Sequence, residues 1–218
     1  MLPTRIETGP RPRWRATLLA CALVFAGMGA ALRSLTLDFE AWTFEDRRQA
    51  LAAQGRLAAV PVTGRDQAGQ PWVSPWGKGQ GTVAIVDFIY TRCETVCTAL
   101  GGTYAQMQAA WLEQPSAAPL QLVSISFDDR DDAAALGRYA RRHHAIPGLW
   151  QMVRLDTKAD RQALLAALGV VAIPDGFGGY THNGALHVVD GQGLVQGLFD
   201  YADWREALAL ARRLGARP

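Results

Sequence analysis

Two of the chain's three cysteines, Cys93 and Cys97, stand four residues apart in the run Cys-Glu-Thr-Val-Cys. If a helix carries both, positions i and i+4 share a face one turn apart. At a helix start, the unpaired N–H groups and the dipole lower a thiol's pKa and favour thiolate. Thiolate is both the nucleophile of disulfide exchange and the soft ligand that copper(I) prefers. The three-residue spacer is wider than the two-residue spacer of thioredoxin redox motifs, so both sulfurs can face one metal with room for a third ligand. The plain alternative is a static disulfide or two buried thiols.

The third ligand is expected to be an imidazole from elsewhere in the fold, and four histidines are available. His143 and His144 follow Arg141 and Arg142 at a helix end, where capping and dipole pairing account for them. His187 falls inside a strand pattern and reads as a packed or surface strand residue. His182 sits in a loop after Gly178-Gly179-Tyr180-Thr181, just ahead of that strand, and is the favoured ligand.

The elements that must position these residues can be read from the pattern. Thr82–Ile89 is a β-branched apolar run, the mark of a buried central strand, and it leads straight to Cys93. Val96–Leu112 is helical, Leu120–Ser126 a second buried strand, and Asp131-Asp132 opens a helix that runs to His144. Trp150–Leu155 is a third strand and Lys158–Leu168 a helix stopped by Gly169. Asp175–Gly179 is a glycine-rich loop. Ala185–Asp190 and Leu194–Phe199 flank Gly191-Gln192-Gly193 as a hairpin, and Asp203–Leu214 is the last helix. Residues 57–81 are short strands joined by turns. The order β-α-β-α-β-α-β-β-α, with cysteines at the first strand-to-helix junction, predicts an α/β thioredoxin-like domain with a central mixed sheet flanked by helices.

Ahead of it, Arg11-Pro-Arg-Trp-Arg15 precedes an apolar run from Ala16 to Leu32, then Arg33. That is about the minimum length for a single transmembrane helix, and the charge bias places the chain's bulk outside the cytoplasm. A cleavable signal peptide, with small residues at Gly29-Ala30-Ala31, is the competing reading. Cys21 lies within the apolar run and reads as a small face-filling residue. Thr43-Phe-Glu-Asp46 has the form of a capping box ahead of a short helix over Arg47–Gln54. The expected organisation is a basic cytoplasmic N-terminus (1–15), an anchor (16–32), a juxtamembrane helix and linker (33–59) and the thioredoxin-like domain (60–218). Of the 218 residues, 49% are hydrophobic and 19% charged, and the formal net charge is +2, its excess at the two termini. No basic stripe with interleaved aromatics crosses the body, which argues against nucleic-acid binding.

The stretch Val86-Asp-Phe-Ile-Tyr-Thr-Arg-Cys-Glu-Thr-Val-Cys97 resembles the copper-site motif of the Sco/SenC family. Val123-Ser-Ile-Ser-Phe-Asp-Asp-Arg-Asp-Asp132, Trp150 with its strand, His182 eight residues before Asp190-Gly191, and Gly193–Phe199 follow in the expected order. The resemblance covers roughly residues 60–210. It implies a membrane-anchored, thioredoxin-like protein that binds copper, Cu(I) or Cu(II), through two cysteines and one histidine, here Cys93, Cys97 and His182. It also implies delivery to the binuclear copper site of cytochrome c oxidase or to another copper-carrying protein, with the domain facing the periplasm from a single-pass inner-membrane anchor. Asp128 matches a family acid that orients or supplements the site, or simply caps the next helix. The chain departs from the family pattern at Glu94 and Thr98, where prolines are usual, and at Thr181, where an Asp is common. Glu94 sets a carboxylate beside the thiols and opposes thiolate formation.

Three activities follow. The first is a copper chaperone. The second is a membrane-anchored thiol–disulfide reductase using Cys93 and Cys97 as a redox pair that can close to a disulfide. The third, a thiol peroxidase on the same fold, needs a single peroxidatic cysteine.

Overall fold

The computed structural model describes residues 14–77, 81–93, 96–115 and 119–216, and the side chains of all of these except 96–99. The chain divides into two compact units, the first ending at Arg47 and the second beginning at Arg48.

In the first unit, α1 (Trp14–Leu35) is 22 residues long and none of them is buried. At 1.5 Å per residue it spans about 33 Å, the thickness of a bilayer's hydrocarbon core. It is longer and more apolar than a surface helix needs to be, and it qualifies as a membrane span by length and composition. Trp14 stands exposed at one end, and Phe39, Trp42 and Phe44 stand exposed beyond the other. Trp14 and Trp42 flank the apolar helix, the placement that tryptophan favours at membrane–water interfaces. The expected capping box is present. Thr43 Oγ1 accepts from the Asp46 N–H and an Asp46 carboxylate oxygen accepts from the Thr43 N–H, both at 3.0 Å. The helix it opens, α2 (Phe44–Ala53), therefore starts three residues earlier than the sequence suggested.

The second unit is built on β3 (Val83–Ile89), which is buried at every position because both of its faces are covered. It pairs in parallel with β4 (Leu120–Ser126), and β4 with β5 (Trp150–Leu155). On the other side β3 pairs antiparallel with β8 (Leu186–Val189), and β8 with β9 (Val195–Phe199). Two short strands, β1 (Thr63–Asp66) and β2 (Pro71–Val73), extend the β5 edge. The result is a mixed seven-stranded sheet in the order β2-β1-β5-β4-β3-β8-β9.

Successive residues of β3 face opposite sides of this sheet. On one side α3 (Val96–Glu113) packs near α6 (Trp204–Gly215) and is bonded to the end of α4 (Ala133–Arg142), where Gln108 binds His144 O and accepts from Ile146 N–H. On the opposite side lie Arg48 and the end of α5 (Lys158–Ala167). The helix α4 opens at Asp132, whose carboxylate accepts from Ala135 N–H at 2.7 Å.

The structure departs from the sequence reading most at residues 172–182. There β6 (Ala172–Pro174) and β7 (Tyr180–His182) form a separate two-stranded hairpin. The glycine-rich stretch is its turn, where Gly176 and Gly178 adopt left-handed backbone (φ 79° and 93°) that a residue with a Cβ resists. His182 is thus a strand residue paired with Ala172, not a loop residue.

Candidate metal and thiol site

The site forms where parallel strands β3 and β4 end, the usual location of ligand sites in open α/β sheets. After Ile89 the chain turns. Cys93 N–H donates back to Tyr90 O at 3.2 Å, and Cys93 is 8% exposed. Cys93 lies outside the helix. The described part of α3 begins at Val96, which leaves Cys97 in its first turn. The shared helix face predicted from the i, i+4 spacing therefore does not apply, because the first cysteine belongs to the turn that precedes the helix. Glu94 and the side chains of Cys97 and Thr98 lie outside the described residues.

The turn is held by acids from the β4–α4 loop. Asp131 accepts from Thr91 N–H at 2.9 Å, from the Thr91 hydroxyl at 2.6 Å and from the Ser126 hydroxyl at 2.6 Å. Asp128, whose side chain is wholly buried, ion-pairs with Arg92 at 3.0 Å and Arg130 at 2.8 Å. Burial pushes its carboxyl up, but the Arg130 hydrogen bonds and the two guanidinium charges outweigh that and hold it below the usual carboxylate range. Asp128 does not cap α4, since Asp132 does; it grips the residue beside Cys93.

The same acid reaches the histidine hairpin. Arg130 donates to Gly178 O at 2.8 Å while its guanidinium lies 5.8 Å from the Tyr180 ring. The imidazole of His182 stands edge-on to Phe127 (5.1 Å between centroids) and to Tyr90 (6.2 Å). Tyr180 packs on the same two rings. Tyr90 therefore connects the two candidate ligands, its carbonyl bonded to Cys93 and its ring against His182. Asn183 fixes the hairpin's register, accepting from Val171 N–H at 2.7 Å and donating to Gly169 O at 3.0 Å. His182 Nδ1 faces Asn183 O at 3.2 Å. A carbonyl only accepts, so Nδ1 is the donor in this contact, and Nε2 is the nitrogen left over to meet a metal.

The structure thus brings Cys93 and the His182 hairpin together around Tyr90, beyond the end of β3, and leaves the other histidines elsewhere. His187 is fully buried, its Nε2 accepting from Arg48 at 2.8 Å and its Nδ1 donating to Val86 O. Burial and the Arg48 charge push it down to about 3. His143 caps α4 and its ring lies flat over Gly101, where a Cβ would come within 2.4 Å. Among the described residues no three His, Cys, Asp or Glu side chains gather closely enough to hold a metal ion. The Cys97 side chain is outside that set.

Three groups escaped the sequence reading. Arg130 and Asn183 position the hairpin, and only their long-range bonds reveal them. Asp87, on the α3 side of β3, is 1% exposed and neither carboxylate oxygen has a hydrogen-bond partner of good geometry. Burial raises it to about 7, with the nearby Ser124 and Tyr104 hydroxyls acting weakly in the opposite sense. Its one sequence signal was an acid inside an otherwise apolar strand.

Comparison with known proteins bears on all of this. A family model described as SCO1/SenC matches residues 65–214. The mouse (Mus musculus) protein SCO2 homolog, mitochondrial, is 30% identical over 138 residues, 61% of this chain and 51% of the mouse protein. The chain spans about half the length of the curated relatives it matches. Among solved structures, BsSco, described as having a disulfide switch and as a member of the Sco family of cytochrome c oxidase assembly proteins, superposes with a TM-score of 0.64. It is 16% identical, over 74% of this chain and 95% of its own. Bradyrhizobium japonicum ScoI with copper bound superposes with a TM-score of 0.55 at 20% identity, over 72% of this chain and 99% of its own. At these identities the two structures establish the shared thioredoxin-like fold.

Proposed function

The chain belongs to the SCO1/SenC family, and from that premise we propose that it carries copper on Cys93, Cys97 and His182 and passes it to a copper-bearing protein of cytochrome c oxidase assembly. The observation that carries the proposal is the Tyr90 link. It ties a buried cysteine to the imidazole of His182, whose Nδ1 is engaged with a backbone carbonyl while Nε2 remains for a metal. Two thiolates and one imidazole form a soft, three-coordinate set that suits copper(I) better than hard cations. The protein's share of the work is to hold these donors in place: Asp131 and Asp128 fix the cysteine turn, and Arg130, Tyr90 and Phe127 fix the hairpin. We further propose that α1 anchors the chain in the inner membrane with the domain on the periplasmic side. Arg5, Arg11, Arg13 and Arg15 precede the span and only Arg33 closes it.

Anaerobic titration of the full chain with copper(I), followed by X-ray absorption, tests the ligand set. The expected result is one copper per chain with two sulfurs and one nitrogen, the nitrogen disappearing in His182→Ala. An unchanged coordination sphere in that variant removes His182 from the site.

The second reading is thiol–disulfide exchange at Cys93 and Cys97, favoured by the disulfide switch described for BsSco. Its test is the reduction potential of the pair. A potential below about −300 mV, typical of structural disulfides, would rule it out.

A further inference from the structure

A groove of about 450 Å³ opens beside the cysteine turn, lined by Thr91, Arg92, Ala135, Arg138, Tyr139 and Arg142. Its charge is unusual for its setting. The preceding loop is rich in acids, yet each of them is engaged. Asp128 holds Arg92 and Arg130, Asp129 holds Arg161, Asp131 holds Thr91 and Ser126, and Asp132 caps α4. Among the described residues no carboxylate pairs with Arg138 or Arg142, both of which are exposed. Among the described residues, the groove therefore presents two guanidinium groups with no paired carboxylate and the half-neutralised one of Arg92, beside the turn that carries Cys93. Dipole pairing explains a cation at Arg142, in the last turn of α4, but not Arg138 in its middle.

We propose that this groove docks an extended acidic segment of the protein that exchanges copper with the chain. Arg138 and Arg142 are four apart on one helix face, which sets their Cβ atoms about 6 Å apart. Alternate residues of an extended strand lie about 6.6 Å apart and point the same way. A segment with acids at every second position thus meets both guanidiniums at once, and a third acid reaches Arg92. Arg suits this role because its planar fork takes a carboxylate with two parallel hydrogen bonds. Docking here brings the partner's metal-binding residues to the turn that carries Cys93, and attraction between opposite charges speeds the encounter. The partner's identity rests on the copper-carrier reading. The groove and its charge do not.

The test uses the copper-free full chain in zwitterionic detergent and two fluorescein-labelled peptides, one with three glutamates at alternate positions and one with lysines there. Fluorescence anisotropy should show the glutamate peptide binding, weakening steeply as salt rises, and the lysine peptide not binding. R138E/R142E should lose at least about tenfold in affinity for the glutamate peptide, while Arg56→Glu, a control far from the groove on an exposed arginine, should lose nothing. Equal binding of the two peptides, or an undiminished R138E/R142E, overturns the proposal. So does complete displacement of the peptide by millimolar inorganic phosphate, which would mark a small-anion site. Tighter binding to vesicles of anionic lipid through the same two arginines also overturns it, reassigning the face to the membrane. Copper(I) stoichiometry in R138E/R142E, expected to be unchanged, separates the two ideas. Loss of peptide binding with copper retained speaks to the docking surface alone, and a wild-type chain that docks the peptide but holds no copper condemns only the carrier reading.

Discussion

Replacing Asp87 by Asn should make the protein more stable, and increasingly so as pH rises. Burial raises this carboxyl from 3.8 to about 7. Between those values the folded state keeps a proton that the unfolded chain has released. The stability this carboxyl contributes is therefore full below about pH 4 and drains as pH rises towards about 7. At about 1.4 kcal/mol for each tenfold change in proton affinity, the interval from about pH 4.5 to about pH 7 amounts to about 3 kcal/mol. Asparagine is nearly the same shape and is neutral throughout, so the stability of Asp87→Asn relative to wild type should widen by about that amount between about pH 4.5 and about pH 8. Urea unfolding of the full chain in nonionic micelles, followed by far-UV circular dichroism, measures it. With a denaturant slope of about 2 kcal/mol per M, the gap between the two midpoints should grow by about 1.5 M. His187 titrates in the opposite sense over part of the window, but it is common to both proteins and cancels in the difference. A gap that stays constant from about pH 4.5 to about pH 8 would refute the reasoning, because it would mean that Asp87 is as well solvated in the fold as in the unfolded chain.

Other expectations follow from the same contacts. Asp131→Ala removes three hydrogen bonds to Thr91 and Ser126; it should cost about 2 to 4 kcal/mol and speed hydrogen exchange at the Thr91 and Cys93 amides, read by mass spectrometry. Asn183→Ala releases the hairpin from Val171 and Gly169. It should weaken copper(I) binding, measured by competition with a chromogenic chelator, while leaving two sulfurs in the absorption spectrum. His187, held at about 3 beside Arg48, contributes stability that is present above about pH 6.5 and lost as pH falls towards about 3. The acid unfolding midpoint of His187→Gln should accordingly be lower than that of wild type, since its slope of about 1.4 kcal/mol per pH unit is removed.

Much of the second unit was legible because its strands and helices announce themselves locally. The apolar run ending at Ile89, the strands Leu120–Ser126 and Trp150–Leu155, and the turn at Gly191-Gln192-Gly193 carry their own signals, and the structure keeps them nearly residue for residue. What could not be read depends on residues far apart in the chain. The turn that carries Cys93 is held at Thr91 by Asp131, forty residues away. The β6–β7 hairpin has three-residue strands, one ending in proline, too short to show a period, and it exists because Arg130 and Asn183 hold its ends. His187 lies in the strand its pattern suggested, but its partner Arg48 is 139 residues distant and nothing local points to it. Asp87 was hidden by its company, since one acid does not disturb the reading of an apolar strand.

The run Asp128–Asp132 has a bearing on how the site comes together and comes apart. Its bonds reach Arg92, Thr91, Gly178 and Arg161 across separations of 32 to 48 residues. Contacts that close such long loops form late in folding, after the local helices and neighbouring strands. The turn with Cys93 and the hairpin with His182 are both bonded to this one loop, so opening it loosens both, with Asn183 still tying the hairpin to Val171 and Gly169. The loop therefore couples the cysteine turn to the histidine hairpin, and a change that loosens one side of it is felt at the other.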